Sequence, residues 1–379
     1  MEVHPIQTEA EFDALEPVWN SLADRLPVAF FSSFDYVRLA WESFHDPDDR
    51  LLVLVLSEGG VVQAIVPLCL VQRPTHSIPH RIVRFIAAWE GDRPVMLSAC
   101  DGERAWLAVV DFLDRSFHGW DVLELMEQAP EGPSGRGWDF LQRSGITLDV
   151  DPDAVDYFIP IDRPWDDYLG LVHKNARRVW QQKVKRLHRE RGDFTVERLV
   201  TPEQVDNGLA RFLAIEQAGW KAGAGLGVCK DARHTDFYGA LLRRLAPKDA
   251  ARIYVLVSQG EDLAAGMMFL VRGVAYFRHT TYHPAFAEFS PGIVLHAEIL
   301  KDVFNCGCCE LDFLSLPACE GAQRHKEHWA TGRRETVCVR AYRRWSRLMP
   351  LVVAQRVRRR MKKGAPAAVE VAGSARGSS

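Results

Sequence analysis

Residues Ala275 to Trp329 read AYFRHTTYHPAFAEFSPGIVLHAEILKDVFNCGCCELDFLSLPACEGAQRHKEHW, and this run decides the fold. Tyr276 to Tyr282 is aromatic and β-branched, the composition of a strand. Simple alternation places Tyr276, Arg278, Thr280 and Tyr282 on one face and Phe277, His279 and Thr281 on the other. A turn follows, in which Ser290 is a candidate N-cap and Pro291 suits a first helical turn, where its missing N–H needs no partner. Ile293, Ala297, Leu300 and Phe304 then recur at helical spacing until Gly307 stops the helix. Cys309, Leu311 and Phe313 alternate with Glu310 and Asp312, which puts both carboxylates on one side of a second strand. Strand, turn, helix and strand make a βαβ-like unit. The helix start around Gly292 and Ile293 presents backbone N–H groups that attract a phosphate or a developing oxyanion, with Asp312 near the end of the neighbouring strand.

Working outward, 379 residues exceed one ordinary hydrophobic core and imply two domains. Lysine and arginine number 47 against 50 acidic residues, a net charge of −3. The chain as a whole therefore exerts no pull on nucleic acid, and any anion-binding surface must be local. The opening MEVHPIQTEAEF is acidic and lacks a signal-peptide pattern, and no apolar run reaches the roughly 20 residues that span a bilayer. A cytoplasmic location is expected, with peripheral attachment at the inner membrane face left open. Eight cysteines without framework spacing read as reduced thiols.

Helical periodicity runs from Glu9 to Ala23, from Ser33 to Phe44 and from Arg104 to Phe117, and Asp121 to Met126 reads as a strand. Leu51 to Leu56 and Val61 to Val71 flank Ser57-Glu58-Gly59-Gly60 as a hairpin, with Pro67 marking a bulge or an edge. LLVLVLSEGGVVQAIVPLCLV and, in the other half, IYVLVSQGEDLAAGMMFLV share this strand–turn–strand pattern, so the chain reads as two copies of one α/β unit. The Pro- and Gly-rich Gln128 to Gly137 closes the first copy. Domains are expected at 1–150 and 151–345, followed by a basic tail at 346–379. The second begins with a strand at Tyr157 to Ile161 and a helix from Pro164 to about Arg191, and Glu203 to Gly219 is its next helix.

Two segments concentrate positive charge. Lys174 to Arg191 carries eight lysines and arginines against Glu190 alone, over a thin stripe of Leu171, Val179, Val184 and Leu187. It is either a solvated helix face or a dock for tRNA, an anionic membrane or the nucleotide part of coenzyme A. Arg340 to Lys363 contains no acid and interleaves its basic residues with Trp345, Leu348, Leu351, Val352 and Val357, so it either lies on an anionic surface or packs as a terminal helix.

In order and spacing, Trp220 in QAGWK, the strand Tyr276 to Tyr282, Ser290-Pro291-Gly292, Asp312 in ELDFL, and Lys326 with Trp329 in HKEHW resemble the C-terminal core of CelD/BcsL-type acetyltransferases. These are relatives of the FemAB aminoacyltransferases within the GNAT superfamily, and the likeness extends more faintly over Val18 to Tyr342. It implies an α/β fold of two tandem GNAT-like domains, each a mixed β-sheet flanked by helices. It also implies a cytoplasmic acyltransferase that moves an acyl group from acyl-CoA, as co-substrate, to a small-molecule or polymer-linked amine. Such a reaction needs a base for the amine, a donor for the oxyanion and a proton for the leaving group, and no serine or cysteine nucleophile. No G-x-S-x-G elbow is present.

Asp312 is the expected base, with His279 as its rival, and Tyr282 the proton source for the leaving group. Ser290, Gly292 and Ile293 are assigned to the donor, and Trp220, Arg278, Lys326 and Trp329 to the substrate. Packing or capping is the alternative for each, and for Trp329 that alternative is a core anchor. The first domain shows no charged loop like that of the second, so its expected role is to shape the acceptor cleft. GNAT enzymes grip the coenzyme A pyrophosphate with a Q/R-x-x-G-x-G/A loop, whereas Ala287 to Gly292 has one glycine. Aminoacyl-tRNA and acyl carrier protein are therefore alternative donors. No metal is expected, because C-x-C-C at Cys306 to Cys309 suits tetrahedral zinc poorly even with Cys319, His325 and His328 nearby. The reading from a different class is a non-catalytic docking module for nucleic acid or membrane.

Overall fold

Alternate residues of the hairpin strands β2 (Arg50–Glu58) and β3 (Val61–Thr75) face different cores. Val53, Val55, Ile65 and Cys69 lie in one buried cluster, and Leu52, Leu54, Ala64 and Val66 in another. A strand buried on both faces is a strand covered by helices on both sides. The computed structural model describes residues 1–26, 30–75, 78–219, 223–315 and 326–364. Before the hairpin come β1 (Glu2–Ile6) and helices α1 (Glu9–Ala14), α2 (Glu16–Ala23) and α3 (Phe34–Phe44). After it come β4 (Ile78–Phe85), the short β5 (Leu97–Ser98), α4 (Gly102–Arg115) and β6 (Val122–Gln128).

The second half repeats this order. After β7 (Thr147–Pro160), α5 (Trp165–Leu171) and α6 (Lys174–Arg191) come β8 (Phe194–Leu199), α7 (Pro202–Ala218) and α8 (Ala232–Leu245). The hairpin β9 (Ala251–Ser258) and β10 (Glu261–Val271) leads to β11 (Val274–Tyr282), α9 (Pro291–Phe304), β12 (Glu310–Ser315), β13 (Gly332–Tyr342) and α10 (Met349–Gly364). Both hairpins alternate alike: Ile253, Val255 and Met267 join the first cluster, and Tyr254, Leu256 and Met268 a third.

The strands form one sheet in the order β1-β2-β3-β4-β6-β13-β7-β12-β11-β10-β9-β8, with β5 on β3. Only β4 with β6 and β11 with β12 pair in parallel among the described strands, each through a crossover helix. The closing strands are exchanged, because β7 pairs β12 while β13 pairs β6, and β7 and β13 pair each other along the middle. This is the tandem α/β architecture that the repeated hairpins implied. On one face, helices of both halves share a core in which the Tyr36 and Phe237 rings are 5.3 Å apart and Phe30 and Phe269 5.2 Å. On the other, α4 covers the first half and α5, α6 and α9 the second.

Several local expectations need correction. The helix read over Glu9 to Ala23 breaks at Leu15, and the one from Pro164 to Arg191 breaks at Val172, whose ψ of 138° is extended. Periodicity bridged both breaks because the apolar spacing survives a one- or two-residue kink. The Gly59-Gly60 turn is as expected, with φ of 57° and 79°. Pro67 falls between the stretches of β3 paired with β5 and with β4, a local edge where no N–H is needed. One continuous strand, β7, runs across position 150. Arg340 to Tyr342 ends β13, and α10 is laid onto the body through buried Leu348 and Val352.

Candidate active site

The two crossover strands of the second half part company. β11 and β12 pair from Val274↔Glu310 to Tyr276↔Asp312 and no further, although β11 continues to Tyr282. β11 carries a bulge here, since Met267 pairs His279 while Met268 pairs Phe277. The extra residue, Arg278, breaks the alternation expected from the sequence. Arg278 and His279 consequently both meet Tyr238: the Arg278 Nε donates to the Tyr238 hydroxyl at 2.8 Å, and the His279 ring lies 4.9 Å from the Tyr238 ring. Phe277 and Thr280 turn together toward Gly266 and Ile299. β12 bends away at Leu314, whose φ is 63°.

A matching irregularity stands at the end of β6. Val337 pairs Gln128 and Val339 pairs Leu125, and Glu127 has a φ of 52°. Arg93 (φ 49°) and Ser290 (φ 53°) add two more left-handed non-glycine residues. Strained backbone of this kind collects at functional sites.

Side chains from both halves fill the seam. Arg93, from the loop after β4, donates to Asp156 of β7 and to Asp312 of β12. Asp312 is 1% exposed; its Oδ1 accepts the Leu314 N–H at 2.8 Å and its Oδ2 also accepts Arg334 at 3.0 Å. Arg334 binds Glu310 as well, so the two carboxylates of ELDFL do share a face. Arg278 donates to Asp92 at 2.7 Å and to the Glu90 carboxylate at 2.7 Å. Lys230 and His234 reach that same Glu90 at 2.6 and 2.7 Å. Burial works against an ionised Glu90, but His234, Arg278 and Lys230 together hold its carboxyl well below the usual range. The expectation that the first half lacks a charged loop is therefore overturned: WEGDRP, Trp89 to Pro94, supplies Glu90, Asp92 and Arg93.

The Ser315 hydroxyl lies 2.7 Å from Glu127 Oε1 and also within hydrogen-bond reach of Asp92. It has one proton to give, so a proton held on Glu127 satisfies the remaining contact. Burial, reinforced by Asp92, pushes Glu127 up to about 7. Its carboxyl also accepts the Arg93 N–H at 2.9 Å. Glu127, Arg93 and Arg334 border a cavity of about 640 Å³ that Pro130 and Thr336 also line. Burial likewise pushes Lys326 down to about 8, while its ammonium donates to the Phe313 carbonyl.

Of the residues expected at the site, Asp312, His279, Arg278 and Lys326 are gathered on this seam. Tyr282, Ser290, Gly292 and Ile293 form a second group, in which a Cβ on Gly292 would lie 3.7 Å from the Tyr282 ring. Ser290 stands at the N-cap position, yet its left-handed backbone leaves its side chain making no cap bond. The Ile293 N–H donates to the Ser290 carbonyl at 2.9 Å, so it is not open to a ligand. Pro291 has none to offer. The helix start is thus a sparser anion cradle than the sequence suggested. Trp329 is buried against the His296 ring at 5.5 Å and the Trp180 ring at 6.2 Å, the packing of a core anchor. Trp220, Cys319 and His325 lie outside the described residues. Among those described, no group of three or more His, Cys, Asp or Glu is placed to hold a metal ion.

Sequence reading missed Glu127, Asp92, Arg93 and Asp156. Comparison of LELMEQ with LDFLS, from the matched strands β6 and β12, was the available signal, because each carries a left-handed residue near its end.

Residues 174–327 match the family of the acetyltransferase (GNAT) domain. No curated protein sequence matches the chain. Among solved structures, FemX superposes with a TM-score of 0.62 at 14% identity, covering 93% of this chain and 99% of that one. The C-terminal domain of a protein described as a lysylphosphatidylglycerol synthetase, from Agrobacterium fabrum, gives 0.55 at 13%, covering 92% and 97%. L-PGS from Bacillus licheniformis gives 0.52 at 14%, covering 90% and 96%. Residues 174–327 thus match a GNAT-type acetyltransferase domain, which supports an acyltransferase, and FemX shares the fold over nearly the whole chain.

Proposed function

We propose that the protein transfers an acyl group from an acyl-CoA thioester to an amine, and that the reaction takes place on the seam between its halves. The donor lies in the cleft opened where β11 and β12 diverge, beside Gly292 and Tyr282. The acceptor amine enters through the cavity at Glu127. Glu127 takes the proton from the attacking nitrogen, a C–N bond forms, the C–S bond breaks, and Tyr282 protonates the departing thiolate. Asp312 acts in positioning, since both of its oxygens are already engaged, and His279 lines the donor side. The observation that carries this reading is the convergence of Asp92 and Glu127 on the single Ser315 hydroxyl at the cavity, which leaves one carboxyl able to exchange a proton near neutrality. In this reading residues 1–150 supply the base and the acceptor cleft, and 151–345 the donor site.

An aminoacyl ester on tRNA is the second donor reading. It is favoured by the helix start, where Pro291 and the engaged Ile293 N–H leave little for a pyrophosphate, and by the exposed basic face of α6 at Lys174, Arg178 and Lys185. The test incubates the protein with acetyl-CoA and a panel of primary amines and follows thiol release. Amine-dependent release that disappears in Glu127→Gln supports the proposal. Release that Glu127→Gln leaves unchanged removes Glu127 from the mechanism, and transfer from aminoacyl-tRNA alone replaces the donor.

A further inference from the structure

The segment after β13 contradicts the usual economy of a terminal helix. Its inner side is fixed: Leu348 and Val352 are buried in the shared core, Arg356 donates to Asp149 at 2.7 Å and to the Leu148 carbonyl at 2.6 Å, and the Arg347 N–H donates to Asp121 at 3.2 Å. A helix anchored in this way ordinarily turns polar residues to water. Here Trp345 is 83% exposed and Val353 53% exposed. Pro350 and Ala354 are exposed too, and in the sequence the same helical spacing continues through Val357 and Met361. The outward stripe of α10 is therefore apolar, and a large indole stands in solvent just before it. The Arg344 guanidinium lies 5.3 Å from the centre of that ring.

Charge identifies what covers this surface. From Arg340 to Gly364 there is no acidic residue, and the sequence sets Arg344 and Arg347 before the exposed Val353 and the run Arg358-Arg359-Arg360 after it. No helix among the described residues is long and apolar enough to cross a membrane. An apolar stripe bordered by arginines, with a tryptophan at its edge, suits the boundary between headgroups and acyl chains. A basic face alone would suit nucleic acid equally well, but an exposed Trp and a row of aliphatic side chains would gain nothing from a phosphate backbone.

We propose that Trp345 and the outward face of α10 form a docking surface for an anionic lipid bilayer, with α10 lying in the plane of the interface. The arginines draw the protein to the surface, and Trp345 and Val353 enter the boundary layer. This surface lies apart from Glu127 and Gly292, so docking does not depend on the acyl-transfer reading.

The test is co-sedimentation of the full chain with vesicles of phosphatidylglycerol and phosphatidylcholine against phosphatidylcholine alone. Binding is expected to the anionic vesicles, with Trp345→Ala and Val353→Asp each weakening it about tenfold or more through lost apolar insertion. Trp345→Ala changes a side chain that is 83% exposed, so its melting temperature should match the parent and loss of binding will report the surface. Two results overturn the proposal: equal sedimentation of parent and Trp345→Ala with anionic vesicles, or no sedimentation of the parent. Tight binding to duplex DNA or tRNA that survives both substitutions, with vesicle binding abolished by moderate salt in the parent and variants alike, assigns the segment to nucleic acid instead.

Discussion

Replacing Arg93 by methionine removes a side chain that ties the first half to β7 and β12 at once. Arg93 is largely buried and donates to Asp156 and Asp312, which are almost wholly buried. Asp312 keeps Arg334 and the Leu314 N–H, but Asp156 Oδ1 has no hydrogen-bond partner among the described residues, and its Oδ2 faces Arg93. Removing one partner of a buried pair costs about 3–5 kcal/mol, chiefly through the uncompensated charge left behind. At about 2.1 cal/mol/K per residue for 379 residues, this is a fall of about 4–6 °C in melting temperature. The pH dependence gives the sharper check. Burial already holds Asp156 above the usual carboxylate range, and Arg93 is the main influence opposing it. Without Arg93 the folded-state pKa rises further above the unfolded value of about 3.9. Between those two values the folded protein binds more protons than the unfolded chain, so stability falls as pH rises. The deficit of Arg93→Met relative to the parent should therefore be small near pH 5 and full near pH 8, measured by calorimetry or urea unfolding. A deficit under about 1 °C at both pH values, or one that grows toward acid, would refute the reasoning.

Glu127→Gln should abolish the rise in acyl-transfer rate that the parent shows as pH passes through about 7, because the base works only when deprotonated; a pH–rate profile of both proteins checks it, and circular dichroism shows that the fold is kept. Lys326→Met should raise the melting temperature at pH 7, since burial pushes this lysine down to about 8 and the charged form is the one penalised. Between about 8 and 10.4 the unfolded chain holds the extra proton, so the parent gains stability with rising pH there and the variant should not, a difference of up to about 3 kcal/mol. Cys306, brought down to about 6 by its hydrogen bond with Cys308 at 3.4 Å, should be alkylated by iodoacetamide at pH 7 well before buried Cys69 and Cys338, both pushed up to about 12; peptide mass spectrometry reads the order.

Much of the architecture is legible because its signals are local. Gly59-Gly60 between two alternating apolar runs specifies a hairpin, the second hairpin repeats it, and Pro291 and Gly307 bracket α9. Asp312 and Arg278 stand out for the same reason, as charges on largely apolar strands. The rest depends on distance along the chain. Arg278 meets Asp92 across 186 positions and Arg93 meets Asp312 across 219, and no period or spacing in the sequence announces either pair. The exchange of β7 and β13 is hidden for the same reason. The bulge at Arg278 is invisible because alternation assumes one residue per step, and one extra residue reverses every face beyond it. Glu127 reads as an ordinary strand end until its equivalence with the end of β12 is drawn.

The central claim is that the second half binds an activated acyl donor. Thermal melting of the purified protein with acetyl-CoA, a long-chain acyl-CoA, free coenzyme A and aminoacyl-tRNA tests it most directly. A donor at a hundredfold excess over its dissociation constant should add about 2.7 kcal/mol, a rise of about 3 °C for a chain of this length. That rise is expected with an acyl-CoA and should be retained in Glu127→Gln, because the base acts on the acceptor and not on the donor. No change in melting with any of the four ligands would contradict it.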